Sequence, residues 1–376
     1  MNTCKAIRFV LLTLLSFGMC PAVRAANFYT IGNATGPEFS VSGVSLDGST
    51  VIGDQLFTGQ AYRWTAAGGA TLIGAGSADG VSGDGSVIVG KANNLPVLWT
   101  QATGFQPLSN TPGGAWDISA DGKTVVGYFD LAPQNPDHDY EPFRWTSTGG
   151  FTSLVPPDPN SNLMATHVSG DGSVILGSPL YAGVPSFRWT ESTGAVNLGS
   201  FAGGPMTPTN VSADGNVIVG SIDTQYGQAF RLTSSGPSLL GKMPGQTGGS
   251  VAYATSADGS VIVGSAGGPT GGADAFIWNA ADGTRELRSV LINDYGLGAQ
   301  LANVYLIDAV GISGNGEVIA GNAFIGGQRV GYVVVLPEPA TWTMAAAALV
   351  VIMLLAHKRR TLFLGRPIES TETPER

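Results

Sequence analysis

The densest group of potentially reactive side chains is the stretch from Asp130 to Glu141, which gathers Asp130, Asp137, His138, Asp139 and Glu141 around two prolines. Hard carboxylate oxygens of this kind suit Ca²⁺, although their spacing is not that of an EF-hand. A solvated acidic loop accounts equally for the composition. The same loop could supply the acid and base of a glycan-cleaving enzyme, from Asp137, Asp139 or Glu141, if two carboxylates stood roughly 5–10 Å apart in a cleft. Elsewhere, groups that could be tuned for proton transfer are scarce. His138 and His167 are the only histidines between residues 26 and 335, and both cysteines, Cys4 and Cys20, lie within the first 25. Thiol catalysis and cysteine-based metal sites are thereby excluded for the rest of the chain. No Gly-x-Ser-x-Gly elbow, His-Glu-x-x-His pair or phosphate-cradling loop is present. The expectation is a protein without a catalytic residue or a resident cofactor, with Ca²⁺ at the acidic loop as the alternative.

A second set of side chains recurs. Arg63, Arg144, Arg188 and Arg231 each follow an aromatic, in Tyr62-Arg63-Trp64, Phe143-Arg144-Trp145, Phe187-Arg188-Trp189 and Phe230-Arg231-Leu232. Alternation on a strand places each arginine on the face opposite its aromatic neighbours. Such arginines could ring a sugar or anion site, or pack their stems between layers with the guanidinium bonded to a carbonyl or a turn aspartate. Trp64, Trp99, Trp145, Trp189 and Trp278 share the period and read as core. Trp116 stands outside that register, in Trp116-Asp117-Ile118-Ser119, and is the tryptophan to examine for ligand contact.

The elements that must position these residues are repeats. A small or apolar residue, then Asp-Gly or Asn-Gly, then an apolar run closed by Gly recurs seven times, centred on Asp47, Asp84, Asp121, Asp171, Asp214, Asp258 and Asn315, at spacings of 37, 37, 50, 43, 44 and 57 residues. Asp-Gly between strand-like runs is a turn signal. The run after each turn, such as Val217-Ile218-Val219, is apolar without alternation, so both of its faces are covered. An aromatic-rich strand and a shorter fourth strand complete the unit, and helical periodicity is not evident between residues 26 and 335. Seven four-stranded units of about 40 residues predict an all-β, seven-bladed β-propeller, with an open β-solenoid as the rival. The segment from Asn27 to Gly32 looks like a fourth strand and the end at Val335 like a third, so the first is expected to complete the last blade and close the ring.

The ends of the chain carry addresses. Lys5 and Arg8 lead into an apolar run from Phe9 to Met19, and Val23-Arg24-Ala25 predicts cleavage after Ala25, giving a signal peptide over 1–25. A lipoprotein signal ending at Cys20 is the alternative. At the other end Leu336-Pro337-Glu338-Pro339 precedes an uncharged stretch over 340–356, long enough for about 25 Å of helix, and then Lys358, Arg359 and Arg360. Those cations favour a cytoplasmic end, with residues 361–376 as its tail. Pro337-Glu338-Pro339, Trp342 and the basic cluster together resemble the sorting segment of PEP-CTERM proteins, the exosortase substrates of Gram-negative bacteria, over residues 336–360. The resemblance implies transient anchoring and cleavage near Pro-Glu-Pro by an exosortase-like membrane protease. A permanent single-span anchor is the alternative. The repeats resemble the HAF repeats of exported bacterial proteins, with Ala61, Pro142, Ser186, Ala229 and Ala275 where those carry His. That implies fold and location more than chemistry.

Residues 26–340 hold 10 basic and 24 acidic side chains, a net charge of −14. Such a surface disfavours nucleic acid. With no cysteine, the domain over 26–335 must be held by its core rather than by disulfides. The expected function is that of an exported, non-enzymatic structural or binding protein of the envelope or extracellular polysaccharide matrix. A polysaccharide hydrolase or lyase using the loop carboxylates is the rival.

Overall fold

A computed structural model describes residues 25–33, 35–134, 139–154, 162–179, 185–224, 226–246, 248–267 and 272–337. The expected signal peptide, the 340–356 span, Glu338, Pro339, Lys358, Arg359, Arg360, Asp137 and His138 lie outside these residues. No helix among the described residues is long and apolar enough to cross a membrane.

Residues 25–336 form one compact unit of seven antiparallel sheets. Six sheets follow chain order from an inner to an outer strand; the seventh combines the last three strands with the first. Strand Asn27–Ile31 pairs with Gln328–Val335 in an unbroken register from Asn27 opposite Val335 to Ile31 opposite Gly331. The molecule is therefore a closed seven-bladed β-propeller, and the expected clasp is present. Ile31 is fully buried with Val41, Tyr62 and Val333, and the Phe28 ring stacks on Tyr332. The apolar clusters lie between blades: Ile52 and Ala61 of blade 1 pack with Ala78, Ile88 and Trp99 of blade 2, and Val126 and Leu154 of blade 3 with Ala165 and Ile175 of blade 4. Both faces of each second strand are thus covered.

The Asp-Gly pairs are turns, but not of the form in which both central residues have positive φ. Only the glycine does, as at Gly48 (φ 73°) and Gly259 (φ 71°). The aspartate acts through its side chain. Asp214 Oδ1 accepts from Ser212 Oγ at 2.6 Å and Asn216 N–H at 3.0 Å, while Ser212 Oγ accepts from Val217 N–H at 2.9 Å. Asn315 does the same work in blade 7, accepting from Ser313 Oγ and Glu317 N–H.

These turns also hold the blades to one another. The carbonyls of Gly83, Ala120, Gly170, Ala213, Ala257, Gly314 and Leu46 each accept a backbone N–H from the neighbouring turn, over 2.7–3.0 Å. The last of these bonds, Gly314 N–H to Leu46, returns to blade 1 and closes a continuous belt. Small residues at this position permit the approach, since a Cβ on Gly83 would stand 2.9 Å from the Ala120 carbonyl.

Helix was not anticipated, yet Leu287–Asn293 is an α-helix and Leu297–Ala299 a 3₁₀ turn. They occupy the longest inter-repeat insertion. Leu287, Val290 and Leu291 pack on Leu297, Leu301 and Leu306, and Arg288 donates to the Leu301 and Val304 carbonyls at 2.8 and 3.1 Å. The i, i+3, i+4 spacing of the three apolar residues was the available signal, too short to stand out among strands.

Candidate functional site

The inner strands surround a channel of about 600 Å³, lined from all seven blades. A recurring distortion decides what it contains. In blades 1, 3, 4, 5, 6 and 7 the register between inner and second strands slips by one residue, at Val41/Gly43, Ala115/Asp117, Ala165/His167, Pro208/Asn210, Ala252/Ala254 and Ala309/Gly311. Each bulge stands opposite the glycine that closes the apolar run. A Cβ on Gly220 would overlap the Thr207 carbonyl, so glycine is what lets the bulged backbone come in. An aromatic ring covers the bare glycine from the third strand, as Phe230 covers Gly220 and Phe143 covers Gly127. The extra residue of a bulge re-aims its side chain. Here Ser42, Trp116, Thr166, Thr209, Tyr253 and Val310 are those residues, and all line the channel.

Trp116 is the tryptophan that the repeat period had set apart. The residue is 38% exposed, against 4% for Trp64 and 8% for Trp99. It stacks on Tyr128, with ring centroids 6.2 Å apart, and Tyr128 meets Tyr140 at 4.7 Å. Lys91 Nζ lies 3.4 Å from Tyr128 Oη. Tyr253, three blades away, brings a second aromatic to the channel wall.

One residue further along, the strands present Asp117, His167 and Asn210. Asp117 accepts from Ile118 N–H at 2.8 Å and, across the blade boundary, from Val168 N–H at 2.9 Å. Burial nevertheless pushes its carboxyl up to about 7, outweighing these two bonds. Asp79 also lines the channel and is raised to about 7, by burial and by the nearby Asp54, against the pull of Ser77 and Lys91. The two share a neighbourhood, since a Cβ on Gly80 would stand 2.7 Å from Asp117 Cα. Burial pushes the His167 imidazole down to about 4, so it is neutral at pH 7. The channel thus combines two aromatics, the hydroxyls of Ser42, Thr166, Thr209 and Thr255, an amide, a neutral imidazole and two carboxyls near their titration midpoint. Its size and mixture suit a small polar ligand with apolar faces.

Sequence reasoning had named His167 without a role and had missed Asp79 and Asp117. The signal was their position two or three residues before the repeated serine, the same register that singled out Trp116. The described residues of the acidic stretch lie elsewhere. Asp130 and Tyr140 pair at the base of a hairpin between the second and third strands of blade 3, and Leu131 N–H donates to the Asp139 carbonyl at 2.8 Å. Neither Asp139 nor Glu141 lines the channel. Among the described residues no group of three His, Cys, Asp or Glu is placed to hold a metal ion.

The recurrent arginines correct their expectation, because none of the four bonds a turn aspartate. Arg63 donates to Thr50 Oγ1 at 3.0 Å, and the Arg231 guanidinium lies over the Trp278 ring at 5.9 Å.

No protein-family model and no curated protein sequence matches the chain. Among solved structures, an oligogalacturonate lyase in complex with manganese superposes with a TM-score of 0.58 at 16% identity, covering 84% of this chain and 97% of the lyase. A β-propeller domain from Myceliophteria thermophila gives 0.53 at 13% identity, over 81% of this chain and 99% of that domain. At these identities the likeness establishes the class, a β-propeller, and extends no further.

Proposed function

We propose that the protein is an exported, non-enzymatic binding protein of the cell envelope or extracellular polysaccharide matrix, and that its channel takes a glycan segment. The observation that carries this reading is Trp116, a half-exposed indole turned into the channel by a backbone bulge and backed by Tyr128 and Tyr140, with Tyr253 and the Ser42, Thr166 and Thr209 hydroxyls on the other walls. Aromatic faces pair with the apolar faces of sugar rings, and hydroxyl and amide groups with their edges. The leader ending at Ala25 and the tail with Pro337-Glu338-Pro339 and Lys358-Arg359-Arg360 support export with an exosortase-like membrane protease as partner. In calorimetric titration with the producing cell's exopolysaccharide, Trp116→Ala should weaken binding by about tenfold, the loss of one stacked ring. Undiminished binding by that variant refutes the channel as the site.

A second reading is favoured by one specific feature. Asp79 and Asp117 each bring to the channel wall a carboxyl that burial raises to about 7, a value that suits a general acid or base. A polysaccharide hydrolase or lyase would use these in place of the loop carboxylates. Release of new reducing or unsaturated ends by the wild type and its abolition in Asp117→Asn would establish this reading; absence of release leaves the binding function.

A further inference from the structure

A second cavity of about 570 Å³ opens between blades 3, 4 and 5, beside the Asp-Gly turns. Arg144 of blade 3 and Arg188, Trp189 and Glu191 of blade 4 line it, together with the Asp214-Gly215-Asn216 turn of blade 5. The repeat explains what is unusual about its arginines. Arg63 is held by the Thr50 hydroxyl and Arg231 by the Trp278 ring. In blade 4 the position of Thr50 is occupied by Val174, which offers Arg188 no acceptor, and in blade 3 by Thr124, to which Arg144 makes no hydrogen bond. Among the described residues, neither Arg144 nor Arg188 makes a hydrogen bond or ion pair, and Arg144 Nε, like Arg231 Nε, is buried without a hydrogen-bond partner; unlike Arg231, Arg144 has no aromatic ring beneath its guanidinium.

A guanidinium keeps its charge at any physiological pH and carries five N–H donors in a rigid fork. Leaving such donors unmatched in a cavity is costly, and the matching acceptor is a planar or tetrahedral oxyanion. The wall's own acids do not serve. Asp214 is committed within its turn to Ser212 and Asn216, and Glu191 forms no ion pair with either arginine.

We propose that this inter-blade pocket is an oxyanion-binding site in which Arg144 and Arg188 clasp the acidic group of a sugar, with Trp189 beside its ring. The shared chemistry is a delocalised negative charge, carried by a uronic acid carboxylate or by a sulfate ester. The site is separate from the channel, stands independently of the reading given above, and supplies a local positive clasp on an otherwise acidic body.

The test is calorimetric titration of the purified full chain with a uronic acid trisaccharide, a sulfated trisaccharide, their neutral counterpart and inorganic sulfate. At least one acidic sugar should bind and the neutral one should not; which of the two binds assigns the acidic group. Arg144→Gln and Arg188→Gln should each weaken binding at least about tenfold, Arg188→Lys should fall between, and Arg63→Gln should leave it unchanged. Circular dichroism melts of each variant distinguish lost binding from lost folding. Binding by inorganic sulfate alone, no binding by any probe at millimolar concentration, or binding that the double Arg144→Gln, Arg188→Gln variant retains overturns the proposal.

Discussion

The aspartate of each turn is a hydrogen-bond acceptor first and a charge second. Blade 7 supplies the internal control, since Asn315 accepts from Ser313 Oγ and Glu317 N–H just as Asp214 accepts from Ser212 Oγ and Asn216 N–H. Asp214→Asn should therefore change stability little. Asp214→Ala, which removes the acceptor, should cost about 1 kcal/mol in denaturant titration. Gly259→Val should cost more, about 1–2 kcal/mol from its left-handed backbone alone, with the Val217 side chain also in the way. Equal losses from Asp214→Asn and Asp214→Ala would show that the charge matters instead. The channel carboxyls respond to pH in the opposite sense to the turn carboxyls. Asp79 and Asp117 have folded pKa values raised to about 7 from an unfolded value near about 4, so their stabilising contribution is complete below about 4 and is lost as pH rises to about 7. Asp214 and Asp258 are lowered, so theirs is present above about 4 and lost in acid. His167, depressed to about 4, acts like the turns, losing its contribution as pH falls from about 6.5. Removing one raised carboxyl isolates its share. The melting temperature of Asp117→Asn should fall less steeply than wild type between pH 5 and 8, and parallel curves would contradict a raised Asp117.

The blade is an element in which three sequence features serve one geometry. Glycine in the second strand admits the bulge, the bulge turns a side chain into the channel, and a third-strand aromatic fills the space above the glycine, so that Gly127, Trp116 and Phe143 act as a unit. The glycine and the aromatic were legible as a period, which is why the blade count, the turns and the clasp could be read from sequence. The bulge was not, because it alters pairing rather than composition. Asp79, Asp117 and their shared wall became visible only when inner strands from different repeats were brought side by side. The turn belt was hidden for a related reason, since backbone bonds leave only a preference for Gly or Ala, which Leu46 breaks. The clasp gives the element-scale prediction. Ile31 is buried in the pocket of Val41, Tyr62 and Val333, and Ile31→Ala should cost about 2–5 kcal/mol while leaving the β signature of the circular dichroism spectrum unchanged. An unchanged unfolding midpoint would mean that the ring closes without that strand.

For the whole molecule, the sorting reading makes a prediction independent of any ligand. Residues 25–336 form a unit without a cysteine, so its folding needs no disulfide-forming partner in any compartment. If Pro337-Glu338-Pro339 is the processing site, changing it to three alanines should hold the protein at full length in the membrane fraction, where the wild type appears shortened in the medium. Release of that variant at normal size and amount would remove the exosortase from the account.

The clasp also sets how the molecule bears mechanical load. Strand Gln328–Val335 is flanked on one side by Val318–Ile325 and on the other by Asn27–Ile31, and Leu336 leaves directly from its end. A pull on Leu336 against a distant blade runs lengthwise along that strand, so both ladders resist together in shear. A pull between Ala26 and Leu336 instead starts at the Asn27 and Val335 pair and opens the first ladder one rung at a time. In single-molecule force spectroscopy the first geometry should rupture at markedly higher force. A tether at the chain's C-terminal end is thus fastened to the propeller along its stronger axis.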